Sequence, residues 1–331
     1  MLFDTHAHYD DKAFGGDRET VLASLAEGGV GCLINVGASV ASLGRIKELT
    51  ERYDFIYGAV GLHPDEVGPH SRAALAGEKV VIPGSVWGVG EADREMPVRG
   101  LTAEIEAYLK ELLALPKMTA VGEIGLDYHW NVEPREVQID CFRRQIAIAI
   151  SMKKPILVHS RTAAADTLRV IEEMYGSGKP AAKMAKAEAV KHLLPEEYSE
   201  VPGKEWVWRK AVPKGPGADL PHKGIIHAYA YSVEQARIYT EMGFLLGIGG
   251  VVTYQNSRKL KKVVQEIPLT KLVLETDCPY LAPEPHRGER NDSRFLRYVA
   301  ETIADLKGVT REEVERVTWE NAADLFSCRS V

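Results

Sequence analysis

The chain has 331 residues, of which 45% are hydrophobic and 27% are charged, and its formal net charge at pH 7 is −6. These proportions are typical of a folded globular protein and exclude a largely disordered chain. The mild negative charge argues against a protein that coats nucleic acid non-specifically, although it leaves room for a local basic groove. None of the four cysteines belongs to a C-x-x-C pair, which argues against a zinc ribbon or a redox dithiol.

The first residues of the chain carry neither the basic segment nor the apolar segment of a secretory signal. No apolar run approaches the ~20 residues that a membrane-spanning helix needs. We therefore expect a cytoplasmic protein with reduced thiols and without a membrane partner. A monomer is the favoured state, although composition says nothing about assembly.

Short apolar runs alternate with amphipathic segments along the chain, a pattern typical of repeated β-strand–α-helix units. The predicted strands are Leu2–His6, Cys32–Gly37, Ile56–Gly61, Thr119–Ile124, Ile156–His159, Gly224–His227, Phe244–Gly249 and Leu272–Thr276. Predicted helices between them include Glu19–Glu27, Val40–Arg52, Glu136–Met152 and Val233–Met242. Thr310 and Glu313 form a T-x-x-E capping motif, and the last helix is expected to start near Asn321. Eight such strands predict an α/β fold, a (β/α)8 TIM barrel in one domain over residues 1–331, with a doubly wound open sheet as the alternative.

Two insertions interrupt the repeat, at about 80–101 and at 175–223. Long irregular segments in compact domains are usually functional or disordered. The second insertion leaves the C-terminal end of the fifth strand, so it is expected to overhang the mouth of the barrel as a lid. Its Trp206–Lys210 stretch, W-V-W-R-K, could stack the bases of a single-stranded end, or its tryptophans could pack the insertion against the barrel.

Potential metal ligands recur where the predicted strands end. His6 and His8 are two residues apart, so they face the same side of a strand, and two neutral imidazoles there can hold a divalent metal. Asp4 shares their side and could accept a hydrogen bond behind them. Further candidates at strand ends are Glu123, His159, His227 and Asp277. Because catalytic residues of (β/α)8 barrels come from the C-terminal ends of several strands, this recurrence favours a metal centre over isolated structural histidines.

Six motifs occur in a characteristic order. They are D-T-H-A-H (Asp4–His8), G-L-H-P (Gly61–Pro64), G-E-I-G-L-D-Y (Gly122–Tyr128), V-H-S-R (Val158–Arg161), E-T-D-C-P-Y-L-A-P (Glu275–Pro283) and R-G-E-R-N (Arg287–Asn291). Together they resemble the motifs of the TatD-type metal-dependent deoxyribonucleases, which are amidohydrolase-like barrels. The resemblance extends from Phe3 to Phe326. It implies a phosphodiester hydrolase, an exonuclease on single-stranded DNA ends, with DNA as its partner and a water activated by two metals.

The resemblance also implies roles for individual residues. The implied ligands of two divalent ions are His6 and His8 with Asp277 at the first, His159 and His227 at the second, and Glu123 bridging them. Asp277 and Glu123 are then the catalytic residues, with Asp277 as general base. Two cations a few ångströms apart can stabilise both the attacking and the leaving oxygen of an in-line displacement. Four histidines and two carboxylates suit zinc, manganese or iron by ligand type, and magnesium fits where phosphate and water complete its shell, so magnesium or manganese is expected for activity and zinc as a bound ion.

Three residues are candidates for substrate contacts. His63 resembles the family residue beside the scissile phosphate, although it could instead fix the turn before Pro64. Arg161 lies on the same side of its strand as His159, and Arg287 follows the last strand, where this fold often holds phosphate. Guanidinium groups match phosphate geometry, but each arginine could equally be a solvated surface residue.

The chain departs from the family pattern at two places, and other functions stay open. Ala228–Ser232 reads A-Y-A-Y-S where the family usually has a Ser-Gly pair, and Asp292-Ser293 stands where a proline is common. Both departures affect the expected substrate shape and neither affects a ligand. The alternative activity is hydrolysis of another ester or amide, such as misacylated tRNA or a small molecule. A non-catalytic scaffold is least expected, because such a barrel should lack a ligand.

Overall fold

The computed structural model describes residues 1–176 and 215–328, and between these ranges the backbone of three short strands. The strands are β1 Leu2–Ala7, β2 Val30–Val36, β3 Ile56–Val60, β4 Lys79–Ile82, β5 Arg94–Pro97, β6 Met118–Asp127, β7 Ile156–Arg161, β8 Lys183–Ala185, β9 Tyr198–Glu200, β10 Trp206–Arg209, β11 Gly224–Ile226, β12 Phe244–Ile248 and β13 Leu272–Leu274. The described α-helices are α1 Arg18–Ser24, α2 Leu43–Arg52, α3 Arg72–Leu75, α4 Ala103–Leu113, α5 Arg135–Met152, α6 Ala164–Tyr175, α7 Val233–Glu241, α8 Arg258–Glu266, α9 Leu296–Lys307 and α10 Arg311–Phe326.

Eight parallel strands form the predicted barrel, in the order β1-β2-β3-β6-β7-β11-β12-β13. A parallel bridge between Ala7 and Cys278 joins the first strand to the segment after the last one. The eight predicted strands coincide with these eight, so the (β/α)8 fold is confirmed and the open sheet is not formed. Every residue of β1 and β6 is buried, as expected where helices cover the outside of a parallel sheet.

A polar network under the mouth of the barrel joins the two ends of the ring. Asp4, which is buried in β1, accepts hydrogen bonds from the backbone N–H and the hydroxyl of Thr276, at 3.0 and 2.6 Å. The Ser293 hydroxyl donates to the same carboxylate at 2.6 Å. Burial raises the pKa of Asp4 to about 6, although these hydrogen bonds oppose the shift. The contacts tie β1 to the loop after β13, and both segments carry predicted metal ligands.

The last helix begins earlier than predicted. It starts at Arg311, because the Thr310 hydroxyl accepts a hydrogen bond from the Glu313 N–H at 3.1 Å and caps the first turn. The expected start near Asn321 was therefore wrong, since a capping residue marks the beginning of its own helix. None of the helices in the described ranges combines the length and apolar character needed to cross a membrane.

The two insertions form small antiparallel sheets. The first contains the β4–β5 hairpin, in which Ile82 pairs with Arg94, and the Arg94 guanidinium lies 4.5 Å from the centre of the Trp87 ring. In the second, β8, β10 and β9 pair in that order. The side chains of residues 177–214, including Trp206–Lys210, lie outside the described residues. The lid over residues 175–223 thus stays a prediction.

Candidate metal centre

The predicted ligands from the two ends of the chain meet at the mouth of the barrel. His6 lies in β1 and His8 directly follows it, and their Nε2 atoms are 3.2 Å apart. Asp277, which follows β13, places Oδ1 3.3 Å from the Nε2 of His8 and 4.0 Å from that of His6. Both histidines are buried and the Asp277 side chain is nearly so. Strand ends far apart in sequence thus supply one compact set of donor atoms.

Glu123 in β6 lies at the centre of the cluster, between four histidines. Its Oε2 is 3.5 Å from the Nε2 of His6 and 3.9 Å from that of His8. Its Oε1 is 2.7 Å from the Nδ1 of His159 and 3.8 Å from the Nε2 of His227. Each carboxylate oxygen therefore faces a different pair of imidazoles.

The donor set fits a divalent metal ion. Most nitrogen–oxygen separations in the cluster lie between 3.3 and 4.0 Å, beyond normal hydrogen-bond length. Two tetrahedral ligands that are each ~2.1 Å from one ion lie about 3.4 Å apart. The Nδ1 of His8 is 2.8 Å from the Val36 carbonyl, which can only accept, so this nitrogen carries a proton and Nε2 is the nitrogen that can bind a metal ion. This Nε2 faces Asp277, and without a metal ion it carries a second proton toward that carboxylate.

Two carboxylates behind the histidines had no predicted role. The Asp127 Oδ2 lies 3.1 Å from the Nε2 of His159, and the Glu275 Oε2 lies 3.1 Å from the Nδ1 of His227. Such partners orient a ligating imidazole and increase its basicity. The sequence spacing could have identified both carboxylates, because Asp127 comes four residues after Glu123 and Glu275 comes two residues before Asp277. These are spacings that keep side chains on one face of a strand.

The carboxylates hold positive charge on three of the four histidines of the metal-free centre, whereas burial and the neighbouring His227 lower the pKa of His6. Burial alone would lower each imidazole pKa, but the facing carboxylates outweigh it. For His8 the main partner is Asp277, and for His159 it is Asp127. The pKa is raised to about 10 for His8 and His159 and to about 9 for His227. A metal ion must therefore displace protons to bind here.

His63 lines the cavity beside His159 and also shapes its own loop. Its Nδ1 accepts a hydrogen bond from the Asp65 N–H at 3.2 Å, and its ring packs edge-on against the His159 ring, with centroids 4.3 Å apart. Burial and the neighbouring His159 lower its pKa to about 3, so the imidazole is neutral and its proton resides on Nε2. Both predicted roles, fixing the turn and lining the site, are compatible with this geometry.

The sequence matches the family model described as "TatD related DNase" over residues 3–327. This chain belongs to the TatD family. YabD of Bacillus subtilis, named an uncharacterized metal-dependent hydrolase, is 35% identical over 98% of this chain and 99% of its own. YcfH of Escherichia coli K12, named in the same way, is 28% identical over 98% of this chain and 96% of its own. The protein is thus a metal-dependent hydrolase of the TatD family.

A solved structure supports the fold of this TatD family member. YjjV, a TatD homologue from Escherichia coli K12, superimposes with a TM-score of 0.72 and covers 99% of this chain and 98% of its own. Its sequence is 24% identical, so the comparison bears on the fold alone. An uncharacterized amidohydrolase from Saccharomyces cerevisiae gives a TM-score of 0.67 at 18% identity, over 98% of this chain and 99% of its own.

The two arginines that the TatD resemblance selected lie in different surroundings. Arg161 lines the cavity above the metal centre, and its guanidinium carbon is 5.5 Å from the centre of the Trp130 ring. Arg287 is absent from the cavity lining within the described ranges. Its guanidinium lies over the Tyr254 ring at 4.3 Å and 3.8 Å from Glu284. The geometry thus brings Arg161 but not Arg287 to the cavity, and the substrate contacts of both arginines stay predictions.

Proposed function

We propose that this protein hydrolyses phosphodiester bonds in DNA, as a deoxyribonuclease that removes nucleotides from single-stranded ends. The main support is the orientation of Glu123, whose two oxygens face two different pairs of histidines. A carboxylate in this position can bridge two cations and reduce their mutual repulsion. The family description "TatD related DNase" supports the same substrate.

The proposed centre holds two ions. His6 and His8 would hold the first with Asp277, whereas His159 and His227 would hold the second, with Glu123 shared between them. Bound divalent ions supply Lewis acidity toward phosphoryl oxygens and lower the pKa of water. The carboxylates suit manganese, or magnesium where phosphate and water complete its shell during turnover, whereas four imidazoles favour zinc where affinity alone decides.

Asp277 is the proposed general base. Burial would raise its pKa, but the positive charge of His227 and the hydrogen bond with His8 outweigh burial and hold the pKa below its usual range. The carboxylate is therefore ionised at neutral pH and can accept the proton of the attacking water. Its Oδ1 lies between the Nε2 atoms of His8 and His227, at 3.3 and 3.7 Å, so the proton acceptor is placed at the centre.

His63 and Arg161 are the proposed contacts to the phosphate. Because the Nδ1 of His63 accepts from the Asp65 N–H, its Nε2–H is free to donate to a phosphoryl oxygen. Arg161 adds a positive charge at the edge of the cavity, which has a volume of about 880 Å³. A cavity of that size can enclose most of a mononucleotide.

The test is a time course on single-stranded oligonucleotides labelled at the 3′ or the 5′ end, with added magnesium or manganese. We expect progressive, metal-dependent shortening, and the labelled end that persists gives the polarity. Asp277→Asn should lower kcat by ~10²- to 10⁴-fold while oligonucleotide binding is largely retained, because the proton acceptor is lost and the cavity is not. Intact oligonucleotide from a protein of confirmed metal content would overturn the nuclease, and acylated tRNA and small esters would be tested next.

A further inference from the structure

Three large apolar side chains are exposed at the mouth of the metal centre. In the described ranges, the large hydrophobic residues with exposed side chains are Met1, Leu75, Val81, Val89, Trp130, Tyr280 and Leu281. Three of them, Trp130, Tyr280 and Leu281, line the cavity, and Trp130 is 63% exposed. Apolar surface that is left in water beside a catalytic centre indicates a ligand with apolar faces of its own.

The Asp127 carboxylate connects the backbone of Trp130 to the metal centre. The Oδ1 of Asp127 accepts hydrogen bonds from the N–H groups of His129 and Trp130, at 2.8 and 3.0 Å. Its Oδ2 lies 3.1 Å from the Nε2 of His159. One side chain thus positions both a proposed metal ligand and the indole platform, while the indole itself stays open to solvent apart from its contacts with His129 and Arg161.

Tyr280 is held in a similar way on the other side of the centre. Its backbone N–H donates to the Asp277 carbonyl at 2.9 Å, and its hydroxyl donates to Asp11 at 2.9 Å. The side chain is 53% exposed, and its ring centroid is 6.5 Å from that of His8. Trp130 follows the fourth strand of the eight-stranded ring and Tyr280 follows the eighth. The two aromatic rings therefore lie on opposite sides of the mouth.

We propose that Trp130 with Arg161, and Tyr280 with Leu281, form two stacking subsites that hold the bases on either side of the scissile phosphodiester. The inference rests on the proposed nuclease function and specifies its substrate. Every base has a π-face, so aromatic platforms bind without sequence preference, and an arginine against the ring adds a cation–π contribution. Bases that are separated by the width of the mouth can be neither stacked on each other nor paired. The preferred substrate is therefore a single strand of at least two nucleotides.

The experiment compares Trp130→Ala and Tyr280→Ala on matched oligonucleotides. One substrate is intact, and the others carry an abasic residue at the terminal or at the penultimate nucleotide. We expect each variant to raise KM for intact DNA about fivefold to 150-fold, with kcat and metal content near those of the parent, because stacking contributes ~1–3 kcal/mol per base. On one of the two abasic substrates, each variant should have the same KM as the parent, because the base that its aromatic ring would stack on is missing. The abasic position that removes the difference should not be the same for Trp130→Ala as for Tyr280→Ala.

The controls separate stacking from structural damage. Trp130→Phe and Tyr280→Phe keep a ring and should recover most of the affinity, whereas Leu75→Ala removes an exposed apolar side chain outside the cavity lining and should change nothing. A KM deficit that persists on both abasic substrates, or an unchanged KM on intact DNA, would overturn the stacking subsites. If the parent enzyme cleaves no oligonucleotide at all, the proposed function itself fails, which is a different result.

Discussion

At the scale of single residues, the centre depends on carboxylates that hold the histidines as well as on the ligands. Asp127 shows this, because its Oδ2 faces the Nε2 of His159 while the Nδ1 of the same ring faces Glu123. The partner carboxylate decides which nitrogen is available to a metal ion. For His227 the partner carboxylate is Glu275, whose Oε2 lies 3.1 Å from the Nδ1 of the ring.

We expect Asp127→Asn to weaken metal binding by 10- to 100-fold, because an uncharged partner holds the His159 ring less firmly and lowers its basicity. Activity should recover at high metal concentration, which identifies a positioning residue. The measurement is kcat as a function of metal concentration. Asp166→Asn is the matched control, since Asp166 accepts from the Tyr128 hydroxyl and pairs with Arg169. An equal loss in both variants would contradict the assignment.

The protonation of the histidines predicts how metal binding depends on pH. Because the pKa values of His8, His159 and His227 are about 9 to 10 without metal, all three rings are protonated at pH 7. Filling the centre at that pH should release about three protons, and metal affinity should rise from pH 6 to pH 9. The raised pKa values stabilise the metal-free fold below pH ~6.5, and this contribution is lost as the pH rises through 9 to 10. Calorimetric titration of the metal ion in two buffers of different ionisation enthalpy measures the number of protons released on binding. Equal apparent binding enthalpies in the two buffers would contradict the proton release.

At the scale of elements, local signals placed the strands well and one helix boundary badly. β6 runs to Asp127, three residues past the predicted end at Ile124, because its pairing with β7 continues as far as Asp127 and Arg161. α10 starts ten residues before the predicted Asn321. Apolar runs report burial reliably, whereas the end of an element depends on which neighbouring backbone it pairs with.

Thr310→Ala should lower the free energy of unfolding by ~1 kcal/mol, because the Glu313 N–H loses its acceptor at the start of α10. Activity should not change. Thr302→Ala is the matched control, since Thr302 lies inside α9 and bonds back to the Tyr298 carbonyl. Chemical denaturation compares the two, and similar effects would contradict a capping role for Thr310.

Gly125 keeps β6 close to β7 at the metal centre. A Cβ at Gly125 would lie 1.9 Å from the His159 carbonyl oxygen, and the φ of Gly125 is +150°. Gly125→Ala should therefore displace His159 and lower both the melting temperature and the metal content. Gly16→Ala, where a Cβ would meet nothing within 4 Å, should be neutral. Normal metal content in Gly125→Ala, measured by elemental analysis, would contradict this role.

At the scale of the whole molecule, the centre joins strand ends from His6 to Asp277, so metal binding and barrel stability are coupled. A ligand that binds only the folded state and is present at 100 times its Kd raises the free energy of unfolding by about 2.7 kcal/mol. For a barrel of this length the melting temperature should rise by about 4 °C. Scanning calorimetry measures the shift by comparing the melting temperature of protein treated with a chelator with that of the same protein after manganese is added back. Identical melting temperatures with and without metal would contradict the coupling.

The sequence by itself determined the barrel and the ligand types, because the spacing of apolar residues and the residue types that follow each apolar run are local properties of the chain. Eight apolar runs marked the strands, and His6, Glu123 and Asp277 stood at three of their ends. Only the tertiary structure decided which oxygen of Glu123 faces which histidine, that Asp127 and Glu275 support the rings, and that Arg287 lies outside the cavity lining. The physical reason is that distances between strand ends depend on how the ring closes and on the rotamers packed inside it.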